Sequence, residues 1–311
     1  MSTQIFIKKE AQGIYGKYPN ERTPEELIKC GIVNLDKPKG PTSHQVSDYA
    51  QRILGITKAG HSGTLDPQVT GVQPIGLGRA TRITEFLLTA PKEYVGIMHL
   101  HKLIEESLLQ AGVKKFIGKI KQLPPIKSAV KREVRIREIY EFELLEIKGQ
   151  EVLFRVKCQA GTYIRKLCHD LGQELGIGAH MAELRRTQAG PFTEKDHLVT
   201  LNDLDDAYHF YKEENNDKFI KYCLQPAESA LVYLPKCWIL DSAIISITHG
   251  RDLAIPGVCK LENFRKEEVV AILSLKGELV AMGEAQMSAV EINTKDKGIA
   301  IKVKKVFMET E

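Results

Sequence analysis

Asp66 stands between Leu65 and Pro67 in the segment GHSGTLDPQVTG, Gly60 to Gly71. A residue that precedes proline is driven out of the α region, so this carboxylate sits on extended or turn backbone. The surrounding glycines let another backbone, such as a nucleotide chain, come close. A carboxylate held in this way can act as a nucleophile or take part in acid–base chemistry. An aspartate that merely forms a turn is the ordinary alternative. His61 lies in the same loop, where it either touches a ligand or bonds its own backbone. His99 and His101, two apart on a strand, face one side and could share a metal, but no third ligand lies near in sequence, so a structural role is favoured. Lys127, Lys131, Arg132, Arg135 and Arg137 form a basic run, and Arg185 and Arg186 a basic pair. Each reads either as a solvated face or as a set of phosphate contacts. Lys302, Lys304 and Lys305 could simply keep an edge soluble.

Elements that would position these groups can be read from the pattern. TPEELIKC has Thr23 as N-cap, Pro24 in the first turn and Glu26 completing a capping box. Ile32, Val33 and Leu35 predict a strand, broken at Lys37-Pro38-Lys39-Gly40-Pro41. Thr42 or Ser43 then caps a helix expected to turn Val46, Tyr49, Ile53 and Leu54 inward. A long glycine-punctuated segment follows, and such loops inside folded domains are more often functional than accidental. After it come a helix near Ile83 to Leu88 and a strand, EYVGIMHLH. EFELLEI and EVLFRVKCQ, joined by a turn at Lys148-Gly149, predict a hairpin. In GTYIRKLCHDLGQELG, Ile164, Leu167, Cys168, Leu171 and Leu175 recur at helical spacing, with Arg165 just off that stripe near the helix start. KEENNDK, 212 to 218, marks a surface crossing. Beyond Leu234-Pro235, short apolar runs separated by glycine predict a small β-barrel or sandwich.

With 311 residues, 43% hydrophobic and 27% charged, the chain fits about two ordinary globular domains. A net charge of +4 permits an RNA partner without requiring one. No run of about 18 apolar residues predicts a membrane span, and MSTQIFIKKE lacks an apolar signal core, so a cytoplasmic protein is expected. Six scattered cysteines without a C-x-x-C pair read as reduced, mostly buried thiols.

KPKGPTSH (Lys37 to His44) and AGHSGTLDPQVTGVQPIGLGRATR (Ala59 to Arg82) resemble the signature of the TruB/dyskerin pseudouridine synthases. The resemblance continues through KEYVGIMHLH, PPIKSAVKR, AGTYIRKLCHDLG and GAHMAELRRTQAGPF. LDSAIISITHGRDLAIPGV and KGELVAMGEA resemble a PUA domain, an RNA-binding module. MHLH, AHMAELRRT and YGKYPNERTPEELI are similar to the archaeal and eukaryotic dyskerin branch, in its compact archaeal form.

The resemblance implies an α+β fold: a mixed, largely antiparallel-sheet catalytic domain over 31–234, a β-barrel-like PUA domain over 235–311, and an extension, 1–30, packing on the PUA domain. It implies an isomerase that converts uridine to pseudouridine, with Asp66 as nucleophile and Tyr94 stacking on the target base. Tyr163 and Arg165 would line the pocket, Arg165 pairing with Asp66, and Leu184 would pack against the nucleotide. His61, Lys131, Arg132, Arg185 and Arg186 are the expected RNA contacts, the basic run matching a thumb loop that closes over RNA. Stacking of a base on an aromatic ring contributes roughly 1–3 kcal/mol, and the target must leave its stack to be reached. No metal, nucleotide or redox cofactor enters the scheme. The implied partners are tRNA, modified at its T-loop, and H/ACA guide RNA, rRNA and the small proteins of that particle, with no membrane. A catalytically silent RNA-binding scaffold is the alternative, against which Asp66, Tyr94, Tyr163 and Arg165 speak. Two stretches depart from the family pattern. Gln73 stands where an apolar residue is usual, and KLIEESLLQAGVKK is divergent.

Overall fold

The computed structural model describes residues 4–123 and 133–309, and the chain divides into two compact units. One comprises Met1–Ile32, Gly76–Arg82 and Leu224–Glu311; the other comprises Val33–Ile75 and Ile83–Cys223. Among the described residues no helix is long and apolar enough to cross a membrane.

In the first unit a seven-stranded sheet runs in the order Ile5–Ile7, Val258–Glu262, Lys236–Ile239, Val269–Leu273, Leu279–Ala285, Ile299–Val306 and Leu253–Ala254. Its alternating apolar residues, among them Ile239, Leu261, Val270, Ile272 and Ile301, bury against Ile244 and Ile247 of the helix Asp241–Thr248. The N-terminal segment contributes a strand, Ile5 opposite Glu262 and Ile7 opposite Lys260. The helix Pro24–Cys30 begins with the anticipated capping box of Thr23 and Glu26. Just before it, buried Arg22 is held by both carboxylate oxygens of Glu228, at 2.8 and 2.7 Å, and by Glu278 at 3.3 Å. Those carboxylates balance a charge that would otherwise be costly to bury.

The second unit carries the mixed sheet on which the chemistry rests. Its strands stand in the order Gly31–Lys37, Thr70–Leu77, Ala179–Ala189, Lys92–Leu100, Glu151–Cys158, Arg135–Lys148 and Gly118–Gln122. Lys92–Leu100 pairs antiparallel with both neighbours, whereas Thr70 and Gly71 pair parallel with Arg185 and Arg186. The expected hairpin is present, with Lys148 opposite Glu151. Burial alternates along Lys92–Leu100, so that Tyr94, Met98 and Leu100 face the core.

Helix Ile164–Glu174 lays Ile164, Leu167, Cys168 and Leu171 into that core, among Met98, Phe154 and Val156. Its approach is close at Gly172, where a Cβ would stand 2.2 Å from the backbone nitrogen of Ala179. Helix Ser43–Ile53 starts with a capping box of Thr42 and Gln45. It buries Val46, Ser47 and Ala50, while Tyr49, expected inward, is 40% exposed. The small pair Ser47 and Ala50 lets the helix lie close, and the bulkier tyrosine is displaced to its flank beside Arg52. The cysteines are free thiols, all buried except the half-buried Cys30.

Candidate active site

The loop carrying Asp66 is pinned on both sides of the carboxylate. Ser43 Oγ accepts a hydrogen bond from the Leu65 nitrogen at 2.8 Å. On the other side Lys37, fully buried, donates from Nζ to the carbonyls of Val69 at 2.9 Å, Pro67 at 3.2 Å and Pro38 at 2.9 Å. The Gly40 nitrogen also donates to Pro67, at 2.9 Å. A turn closed by Val69 N–H on the Asp66 carbonyl, 3.0 Å, completes the loop. Burial pushes the Lys37 ammonium below its ordinary range, partly offset by the nearby charge of Asp66.

Arg165 Nε lies 2.9 Å from Asp66 Oδ2, and each side chain is 47% exposed. The carboxylate is therefore open to a ligand on one side and paired on the other. Arg165 owes its place to Tyr163, the N-cap residue of its helix. Gln122, buried, accepts from the Tyr163 nitrogen at 3.0 Å and donates to its carbonyl at 3.1 Å, which fixes where the helix begins.

Tyr94 lies opposite Arg186 across two antiparallel strands, and Gly96 lies opposite Leu184. Tyr94 is buried, which pushes its phenol up, and Leu184 packs at the edge of the same core. Arg186 is only 1% exposed. Expected among the RNA contacts, it is engaged here with backbone: Nε donates to the Val72 carbonyl at 2.7 Å and both Nη atoms face the Gly63 carbonyl at 3.3–3.4 Å. Arg185 remains at the surface but is held by Asp36, with two contacts of 2.9 Å, and by Glu194 at 2.5 Å. His61 accepts from the Gly63 nitrogen at 3.3 Å, so its imidazole bonds its own loop, and burial lowers its pKa. Lys131 and Arg132 lie outside the described residues.

Lys92, a third enclosed cation, donates to Leu87 at 2.6 Å, Ala90 at 2.8 Å and Leu88 at 3.2 Å. It thereby caps the carbonyl end of the helix Thr84–Thr89, and burial pushes its pKa down to about 8. Gln73 is fully buried: Nε2 donates to the Ser43 carbonyl at 3.0 Å, while Oε1 has no partner among the described residues. His99 is held by Glu151 at 2.6 Å, and His101 meets His180 at 2.9 Å. Among the described residues no three or more His, Cys, Asp or Glu side chains are placed to hold a metal ion.

Lys37, Ser43, Lys92 and Gln122 form the support that reading the sequence missed. Only Ser43 left a signal, as a helix cap candidate. A lysine that folds back on three carbonyls is indistinguishable in sequence from one in solvent.

Comparison with known proteins covers nearly the whole chain. The TruB family pseudouridylate synthase N-terminal domain matches residues 51–107 and 101–164, and the tRNA pseudouridylate synthase B C-terminal domain matches 165–232. A PUA domain matches 235–307, and a DKCLD (NUC011) domain 3–47. A probable tRNA pseudouridine synthase B of Methanothermobacter thermautotrophicus is 54% identical over 296 residues, 95% of this chain and 91% of the relative. One of Pyrococcus abyssi is 53% identical over 302 residues, 97% of this chain and 90% of the relative. A chain of a crystallised Cbf5-Nop10-Gar1 complex superposes with a TM-score of 0.94 at 50% identity, covering 99% of this chain and 95% of that one. A chain of an archaeal box H/ACA sRNP Nop10-Cbf5 complex does so with a TM-score of 0.91 at 49% identity, covering 99% and 96%. The class is thus a pseudouridine synthase, an isomerase, joined to a PUA domain. Within that class, the chain belongs to the TruB family of pseudouridylate synthases.

Proposed function

We propose that this enzyme isomerises uridine in RNA with Asp66 as the nucleophile. It does so at the T-loop of tRNA without a guide, and in rRNA as the catalytic subunit of an H/ACA guide-RNA particle. The relatives named tRNA pseudouridine synthase B support the first activity, and the likeness to chains of Cbf5-Nop10-Gar1 and H/ACA assemblies supports the second. The single observation that carries the assignment is the half-exposed Asp66 carboxylate, 2.9 Å from Arg165. Asp66 acts on the target nucleotide, the bond from the sugar to N1 breaks, and the base turns. The sugar carbon then bonds to C5, whose hydrogen leaves as a proton while N1 takes one up, and Asp66 is released unchanged. Tyr94 and Leu184 hold the flipped base, and Tyr163 lines the pocket. Among the RNA contacts are Lys131, Arg132 and, once RNA competes with its carboxylates, Arg185. The division into an extension over 1–30, a catalytic domain over 31–234 and a PUA domain over 235–311 assigns base chemistry to the second and RNA grip to the third. The enzyme works in the cytoplasm.

The test is tritium release from tRNA labelled at uridine C5, with purified protein alone and Asp66→Asn as control. Asparagine keeps the shape and removes the nucleophile. Release by wild type and none by the variant is expected. Substantial release by Asp66→Asn would refute the role of Asp66. Release only after guide RNA and partner proteins are added would assign the enzyme to the particle alone.

A further inference from the structure

The helix Ile164–Glu174, which carries Arg165 in its first turn, is held from outside rather than capped by its own side chains. Helices elsewhere in the chain open with capping boxes, at Thr23, Thr42, Thr200 and Ser288. Here the N-cap residue is Tyr163, which makes no side-chain cap hydrogen bond. The first turn of a helix has N–H groups without intrahelical partners, so a start with no cap frays readily. Gln122 opposes this from 41 residues earlier in the chain. Its amide takes the Tyr163 N–H on Oε1 at 3.0 Å and donates from Nε2 to the Tyr163 carbonyl at 3.1 Å. One side chain thus exchanges two bonds with a single residue, as a paired residue on an antiparallel strand would. The same carbonyl accepts the first bond of the helix, from the Leu167 nitrogen at 3.0 Å. Gln122 is 2% exposed and ends the strand Gly118–Gln122, opposite Arg135. The turn that leads into the helix is tied to the strand Arg135–Lys148 as well, by the Gln159 nitrogen on the Glu138 carbonyl at 2.8 Å.

We infer that Gln122 is a positioning residue for the isomerisation: its amide fixes the start of the helix that aims Arg165 at Asp66. The inference rests on the roles proposed for Asp66 and Arg165. The hydrogen bonds of Gln122 go to neither of them but to the backbone of Tyr163, two residues before Arg165. Both side chains of the ion pair are half-exposed, so close packing does not hold them in place. Their 2.9 Å contact depends instead on where their backbones are set. Lys37 and Ser43 set the Asp66 loop from one side, and Gln122 sets the arginine from the other. The residue type follows from this task. A donor and an acceptor are needed on one rigid plane, and a primary amide supplies both without a charge to bury. Methionine, of similar length, has no donor and only a weak acceptor. Asparagine has the amide on a stem one carbon shorter, which cannot span the same two groups.

Gln122→Met, Arg165→Ala and the double variant Gln122→Met/Arg165→Ala test this by single-turnover tritium release at saturating enzyme, with RNA binding measured alongside. Gln122→Met should lower the rate by roughly 10-fold, less than Arg165→Ala because the guanidinium is misaimed rather than removed, with RNA affinity within about two-fold of wild type. In the Arg165→Ala background the further loss should shrink to about two-fold, because a residue that acts through another is non-additive with it. Should Gln122→Met not fold, Gln122→Asn takes its place in the same cycle. It removes one methylene and keeps the amide, and it should lose rate in the same pattern with RNA affinity retained. A wild-type rate in the variant that is read would overturn the inference. An undiminished loss in the Arg165→Ala background would overturn it too, by making Gln122 a structural residue that does not work through Arg165. Weakened RNA binding with the rate kept would replace positioning by a role in holding RNA. Failure of the proposed function is separately visible, as wild type that releases no tritium under any condition.

Discussion

Arg165 Nε meets Asp66 Oδ2 at 2.9 Å, yet nearly half of each side chain faces solvent. A pair this open contributes little to stability, about 1 kcal/mol or less. On the proposed function its value lies in aiming the carboxylate. Arg165→Ala should therefore lower the single-turnover rate by about 100-fold while the urea midpoint barely moves. A near-normal rate would show that Arg165 does not orient Asp66.

Lys37 is the opposite case, because its ammonium is wholly enclosed by the three carbonyls it satisfies. Lys37→Met keeps much of the bulk but leaves those carbonyls unpaired. A loss of roughly 2–3 kcal/mol is expected in urea unfolding, together with a slower rate as the Asp66 loop loosens. A stability within experimental error of wild type would show that the carbonyls find other partners.

Lys92 gives stability a pH dependence that can be isolated. Its folded pKa of about 8 lies below the ordinary 10.5. Between those values the unfolded chain binds more protons than the folded one, so this group raises stability as pH rises. The contribution is complete above the unfolded value and is lost as pH falls through about 8, an effect on the order of 3 kcal/mol. The unfolding free energy of wild type should thus gain on that of Lys92→Met between pH 7.5 and 10, pH values chosen to span that window about the folded pKa. Parallel curves for the two proteins would contradict it.

Gln73→Leu tests the departure from the family pattern. The substitution loses the link to the Ser43 carbonyl and also removes a buried acceptor, Oε1, that has no partner among the described residues. An orphaned acceptor costs about 1–3 kcal/mol and a made bond returns about 1 kcal/mol, so a net gain near 1 kcal/mol is expected. Calorimetry would show it as a rise in Tm of roughly 2–4 °C. A fall would mean that the link to Ser43 outweighs the orphan.

Local signals in the sequence carried far. The capping box at Thr23 is hydrogen-bonded as its spacing implies, Thr42, one of the two cap candidates, caps its helix, and the stripe from Ile164 to Leu171 faces the core with Arg165 beside it. What stayed hidden depends on burial against elements distant in sequence. The strand Ala179–Ala189 carries Glu183, Arg185 and Arg186, and its charges mask a central position in the sheet. Lys37, Lys92 and Arg186 look like surface residues until the carbonyls that enclose them are known. Tyr49 was misplaced because hydrophobicity alone ranks it above Ser47 and Ala50, whereas close helix packing selects for small side chains.

The parallel pairing of Thr70 and Gly71 with Arg185 and Arg186 joins stretches made far apart in time as well as in sequence. Arg186 bonds Val72 across a separation of 114 residues. At about 5–20 residues per second, the ribosome releases the Asp66 loop several seconds or more before the arginine that anchors it. A nascent chain that already displays the Asp66 carboxylate is therefore still without the guanidinium that bonds Gly63 and Val72 on either side of it. Competence to modify RNA arises late in synthesis, and a chain cut short before Arg186 would carry Asp66 on a loop that lacks this anchor.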